Sequence, residues 1–161
     1  MTLLRRCFSR LAVGSLALCA CLTDQPAEEL TGRWLSARID LEPAGWYRIE
    51  LGFNRYGVFH EDVRSYGTYE GQGPNELSGY SRIEGTYRVK GNSVTFTPKR
   101  LVWWDLFYGP NSQEQVEDPY SITLFDQATY SLAEDGLRLE YLSYPLDAPV
   151  PTSLDFTRGP D

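Results

Sequence analysis

Residues 85–99 read GTYRVKGNSVTFTPK, and this stretch decides the fold class. Tyr87 and Val89 alternate with Arg88 and Lys90; beyond KGN (90–92), Val94 and Phe96 alternate with Ser93, Thr95 and Thr97. An apolar period of two puts those residues on one face of an extended strand, whereas a helix repeats every 3.6 residues. Two such runs joined by KGN are a β-hairpin, because glycine supplies the backbone conformation that a tight reversal needs. The spacing brings Tyr87 and Val89 into phase with Val94 and Phe96. One face of the hairpin is therefore apolar.

The same signature recurs on both sides. WYRIELGF (46–53) sets Tyr47, Ile49, Leu51 and Phe53 on one face and Trp46, Arg48 and Glu50 on the other. ATYSLAEDGLRLEYLSY (128–144) is a second hairpin, turning around Glu134, Asp135 and Gly136 with Leu137, Leu139 and Tyr141 inward. YSITLF (120–125) aligns Tyr120, Ile122 and Leu124, and Leu154 with Phe156 marks a short closing strand. No segment sustains a helical period over three turns. Strands are predicted near 32–39, 45–53, 56–65, 83–89, 93–104, 120–125, 128–132, 136–142 and 152–157. Tyr (11), Phe (7) and Trp (4) make up 14% of the chain, a composition that suits half-buried pleated surfaces. The expected fold is all-β: an up-and-down antiparallel β-barrel of eight or nine strands, since closure removes the edges a long meander would expose. A two-sheet β-sandwich is the alternative, because strand count does not separate the two. SYGTYEGQGPNELSGYS (65–81) and YGPNSQEQVEDP (108–119) read as surface loops, or as the rim of a pocket held by the scaffold.

The first thirty residues obey a different pattern. Arg5, Arg6 and Arg10 precede an uncharged run of Leu, Ala and Val over 11–20. A spanning helix needs about 20 apolar residues, so this run reads instead as a secretory signal. Its end, LCAC (18–21), resembles the bacterial lipoprotein box, with Leu18 and the small Ala20 ahead of Cys21 and Cys19 where Ala, Ser or Thr is commoner. The resemblance implies a signal peptide (1–20), a lipid-bearing Cys21 with an acidic tether (21–30), and a β-barrel domain over 31–161. Cys7 and Cys19 would leave with the signal, so no disulfide is expected. The implied partner is a membrane, held through covalent lipid, with Leu22 pointing to the periplasmic face of an outer membrane. The net charge of −7 argues against a nucleic-acid partner, which requires a basic face.

LTGRW (30–34) opens the first strand directly after the tether. It resembles the Gly-x-Trp signature of lipocalins, calycin-type barrels, and of lipocalin-like domains in bacterial lipoproteins. That resemblance implies a close backbone approach at Gly32 and a Trp34 that plugs one end of the barrel. The hairpins at 85–96 and 130–139 also look like those of such domains. A second Thr-Asp-Tyr signature is missing, with FDQATY (125–130) only an echo, and the late family Arg matches Arg158 by position alone. Carriage of a small apolar ligand is the role the resemblance implies.

His60, the one histidine, stands in FHED beside Glu61 and Asp62. Alternation places His60 and Asp62 on the face opposite Phe59, as exposed strand residues. A metal site would need partners from elsewhere, and outside the signal and Cys21 there is no second His or Cys to supply them. GQGPNELSG (71–79) lacks the Lys and following helix of a phosphate loop, and EQVED (114–118) lacks EF-hand spacing. Neither a Gly-x-Ser-x-Gly nor a Ser-x-x-Lys nucleophile motif occurs. No catalytic residue, metal or cofactor is therefore predicted. RLVWWDLFY (100–108), if extended, turns Leu101, Trp103, Asp105 and Phe107 one way and Val102, Trp104, Leu106 and Tyr108 the other. A strand between the core and a covering loop is expected there. Trp103, Trp104 and Tyr108, together with Trp46 on the polar face of its strand, are the ligand-binding candidates. The expected function is that of a lipid-anchored, non-enzymatic envelope protein whose barrel binds a small amphipathic or hydrophobic ligand or an envelope protein. An interaction module with a filled barrel is the alternative, and a hydrolase of envelope glycans or lipids the third class.

Overall fold

The structure, a computed structural model, describes residues 27–41, 45–67, 71–106, 113–118, 122–145 and 148–160. Cys21, the residues assigned to the signal peptide, and Tyr108 lie outside them. A short 3-10 turn (Glu28–Leu30) leads into β1 (Gly32–Ser36), β2 (Ile39–Asp40), β3 (Trp46–Phe53), β4 (Val58–Tyr66) and β5 (Leu77–Lys90). These are followed by β6 (Ser93–Asp105), β7 (Gln115–Glu117), β8 (Asp126–Ala133), β9 (Gly136–Ser143) and β10 (Val150–Arg158). All pairings are antiparallel, and the order β1-β10-β9-β8-β6-β5-β4-β3 returns to β1, which pairs with both β10 and β3. The result is a closed up-and-down barrel of eight strands, with β2 and β7 added beside β3 and β6. Closure excludes the sandwich, whose two sheets would each keep open edges.

The deciding hairpin pairs as its alternation predicts, Tyr87 opposite Phe96 and Val89 opposite Val94. Gly91 opens the reversal at φ +61, a conformation that glycine adopts without steric cost. The β8–β9 hairpin likewise turns between Ala133 and Gly136. Inside the barrel, Leu51, Phe53, Phe59, Tyr87, Phe96, Leu137, Leu139 and Phe156 form one contiguous core. Its rings pack edge to face, Phe53 on Tyr87 and Phe59 on Phe96, each with centroids 5.0 Å apart. At the bulge between Glu84 and Gly85, a Cβ on Gly85 would lie 2.2 Å from the Thr97 carbonyl oxygen and 2.8 Å from the Phe59 ring. Only glycine lets β5 press onto the core there.

Four features differ from the pattern. The run near 32–39 divides into β1 and the short β2. β5 begins at Leu77 rather than near residue 83, although Ser78 and Gly79 have little strand propensity. Ladders on both sides impose the conformation: Gly79 lies opposite Ser65 on β4 and opposite Asp105 on β6. The strand expected over 120–125 is absent from its described part, 122–125. Phe125 at φ +50 and Gln127 at φ +51 break the extended geometry that a ladder requires. The β6–β8 ladder is accordingly reduced to Ser93 opposite Thr129. Phe125 packs into the resulting gap, 5.4 Å from Phe96 and 4.9 Å from Tyr141 between centroids. β7 forms instead, within the stretch expected as a loop.

Candidate functional site

Residues opposite one another on antiparallel strands share a face, so register sorts the interior into rows. One end of the barrel is sealed. Trp34 is fully buried there, its indole N–H donating to the Leu30 carbonyl at 2.8 Å, and the Arg158 guanidinium lies 4.3 Å from its ring centre. Arg158 Nη1 donates to the Thr31 carbonyl at 3.1 Å. Gly32, at φ +129, passes so close that a Cβ would sit 2.8 Å from Arg158 Nη1. Tyr130 donates to the Glu29 carboxylate at 2.9 Å, and burial together with that bond pushes its phenol up to about 12.

Moving away from this plug, the rows become progressively more polar. Phe53, Phe59 and Gly85 form the first; Leu51, Glu61, Ile83 and Leu101 the second. Ile49, Val63, Ser81 and Trp103 form the third, and Tyr47, Ser65, Gly79 and Asp105 the last. Val63, Ser65, Gly79, Tyr80, Ser81, Trp103, Trp104 and Asp105 line a cavity of about 140 Å³ at this end. Leu41, Leu77, Tyr144 and Val150 are exposed around the same rim.

Glu61 is the feature that the sequence reading missed, although its spacing from Phe59 and Val63 already put it on their face. Only 6% of the residue is exposed, between the core residues Leu51 and Ile83. Among the described residues its carboxylate makes no hydrogen bond or ion pair. Burial, with a smaller contribution from the Asp62 charge, pushes it up to about 7. Its charge in turn reaches Tyr141 on the opposite wall, where burial, Tyr47 and Glu61 all raise the phenol.

Of the aromatic candidates, Trp103 and Trp104 both line the mouth cavity, whereas Trp46 does not. Trp103 is on the interior wall at the mouth, its indole N–H donating to Glu117 at 2.8 Å. Trp104 lies on the outer face opposite Tyr80. Trp46 is on the outer rim, stacked on Tyr66 at 4.1 Å with an interplanar angle of 16°, and it donates to the Pro74 carbonyl at 2.8 Å. Arg38 covers it at 5.1 Å.

The outer face carries an ion-pair lattice across β1, β3, β4, β5 and β6. Arg33 grips Glu50 through Nε at 2.8 Å and Nη2 at 2.9 Å; Arg82 grips Asp62 through Nε at 2.6 Å and Nη2 at 2.8 Å. Arg64 joins them, 3.5 Å from Glu50 and 3.2 Å from Asp62, and Arg100 reaches Glu84 at 3.3 Å. The hydrogen bonds from Arg33 hold Glu50 below the ordinary carboxylate range, against the opposing effect of burial. Glu50 and Asp62 are buried although they face outward, because the arginines lie flat over them. His60 is half-buried, with Nε2 3.8 Å from Glu50. A Cβ on Gly52 would fall 2.0 Å from its ring, so the glycine makes the room. Glu50, His60 and Asp62 bring potential ligand atoms within 4.8 Å of one another. Each carboxylate is already bidentate to an arginine, so a cation would have to displace both Arg33 and Arg82. The lattice reads as structural. Compared with known proteins, the chain matches no family model, and no curated protein or solved structure is significantly similar to it.

Proposed function

We propose that this chain is a lipid-anchored, non-enzymatic envelope lipoprotein whose lipocalin-like barrel binds a small amphipathic ligand at the end opposite the Trp34 plug. The observation that carries this reading is the gradient along the interior, from phenylalanines at the sealed end to Glu61, Ser81, Trp103 and Tyr47 towards the mouth. Burying a carboxylate such as Glu61 between Leu51 and Ile83 costs free energy, and a barrel serving only as a spacer would gain nothing from it. Apolar walls with a few convergent polar groups are what small-molecule sites use. The packing of Arg158 across Trp34 beside Gly32 supports the lipocalin-like reading. With an anchor at Cys21, the plugged end, where the described chain starts, is the end nearer the bilayer and the mouth is the far end.

Native mass spectrometry of the purified chain tests the carrier reading: a small-molecule adduct released on unfolding is expected, and a bare chain under gentle conditions counts against it. Changing Cys21 to Ser should abolish incorporation of radiolabelled palmitate; persistent labelling refutes the anchor. A second reading, an interaction module with a filled barrel, draws on the dense packing of Phe53, Phe59, Phe96 and Phe125 and on the half-buried Trp46–Tyr66 stack at the outer rim. On that reading Trp46→Ala would weaken partner capture while leaving ligand extraction empty in both forms.

A further inference from the structure

We infer that the ligand is an amphipathic amine whose protonated nitrogen is held by Glu61, with its apolar part running past Val63 and Trp103 to the mouth. The inference deepens the carrier reading and rests on it. Glu61 projects from the inner wall between Leu51 and Ile83, two residues along β4 from Val63, which lines the mouth cavity. Its residue is more than nine-tenths buried, and among the described residues no donor or cation meets its carboxylate. The arginines of β3, β4 and β5 (Arg48, Arg64 and Arg82) are in register with the opposite, outer face.

A lone carboxylate in an apolar wall is costly when ionised, and the cost falls when a hydrogen-bonding cation enters beside it. That requirement selects the charge of the ligand. An anionic amphiphile would set two carboxylates side by side, and a neutral alcohol supplies one weak donor without compensating charge. Tyr141 of β9 faces Glu61 across the barrel with its phenol raised chiefly by burial, and Asp62 on the outer side of β4 adds negative charge. All of these favour a cation. The apolar side chains beyond Glu61, Ile49 and Val63, and the indole of Trp103 suit an alkyl or aryl group. The cavity beyond Glu61, open on one side and about 140 Å³, has room for a short chain or a single ring.

The test is a tryptophan-fluorescence titration of the purified full chain with hexylamine, hexan-1-ol and hexanoate at about pH 8, repeated at about pH 5.5 where Glu61 gains its proton. Hexylamine should bind at least about tenfold more tightly than hexan-1-ol at the higher pH, with hexanoate weakest, and its advantage should shrink at the lower pH, where the amine itself stays protonated. Glu61→Gln should bring hexylamine down to the level of hexan-1-ol, with an unchanged circular dichroism spectrum showing that the variant is folded. Equal affinity of hexylamine and hexan-1-ol for the wild-type chain overturns the amine inference and leaves the carrier reading standing. An advantage that survives both Glu61→Gln and the lower pH overturns the assignment to Glu61. Failure of all three probes to bind overturns the carrier reading itself.

Discussion

Replacing Glu61 with Gln should make the protein more stable at alkaline pH and leave it unchanged at acid pH. Burial raises the folded-state carboxyl from its ordinary 4.5 to about 7. Between those values the native state keeps a proton that the unfolded chain has released, so stability falls as pH rises through the window. Below the lower value both states are protonated and nothing is lost; above the upper value the loss is complete. At about 1.36 kcal/mol per tenfold change in proton affinity, the complete loss is about 3 kcal/mol. For a domain of this size that corresponds to roughly 10 °C in Tm. Gln fills the same volume without the charge, so the variant escapes the loss. The assay is urea unfolding of both proteins followed by tryptophan fluorescence, at intervals from about pH 4 to about pH 8.5. The curves should coincide at the acid end and separate through neutrality, with the variant above. Parallel curves would refute the reasoning, because Glu61 would then be solvated or paired and not isolated in the wall. The same measurement with saturating hexylamine should narrow the gap, since a ligand that binds only the ionised native state restores what burial removed.

The outer lattice behaves in the opposite sense. Glu50, held low by Arg33, contributes stability that is present above the ordinary carboxylate range and is lost as pH falls through its depressed value. Glu50→Gln should therefore flatten the acid limb of the stability profile, and an unchanged acid limb would show that the Arg33 contact carries no weight. Asp62→Ala leaves Arg82 and Arg64 without their shared carboxylate, and with both arginines over a third exposed the cost should be about 2 kcal/mol in urea unfolding. A loss below about 0.5 kcal/mol would class the lattice with ordinary surface pairs. Gly85→Ala drives a methyl into the Thr97 carbonyl and the Phe59 ring, which should cost about 2–3 kcal/mol and sharply lower Tm; a neutral result would mean that the bulge relaxes freely.

Much of the architecture was legible because it is written locally. Alternation in WYRIELGF, in GTYRVKGNSVTF and around Glu134–Gly136 follows from the pleat, which sends successive side chains to opposite faces whatever the rest of the chain does. Turn glycines such as Gly91 are local as well. The 120–125 strand failed because its alternation suits a strand equally well as an irregular plug. The left-handed backbone at Phe125 and Gln127 comes from filling the gap between β6 and β8, which no window of sequence contains. Ser78 and Gly79 became strand for the converse reason: flanking ladders outweighed weak propensity.

The site divides along the same line. Pattern alone put Trp34 at the start of a strand, His60 and Asp62 on one face, and Trp103 and Trp104 on opposite faces. Nothing local distinguishes Glu61 from the many other acids of an acidic chain, since ionisation cost depends on neighbours brought from β3, β5 and β9. Nor could sequence show Glu50 and Asp62 buried on an outer face, because their cover consists of arginines from other strands laid over them by register. Sequence by itself determined most of the strands, the tight turns and the alternation of side chains along them, all of which depend on neighbours one to four residues away. The tertiary structure decided closure into a barrel, the sealed and open ends, and the isolation of one carboxylate in the wall, because those depend on which distant strands lie side by side.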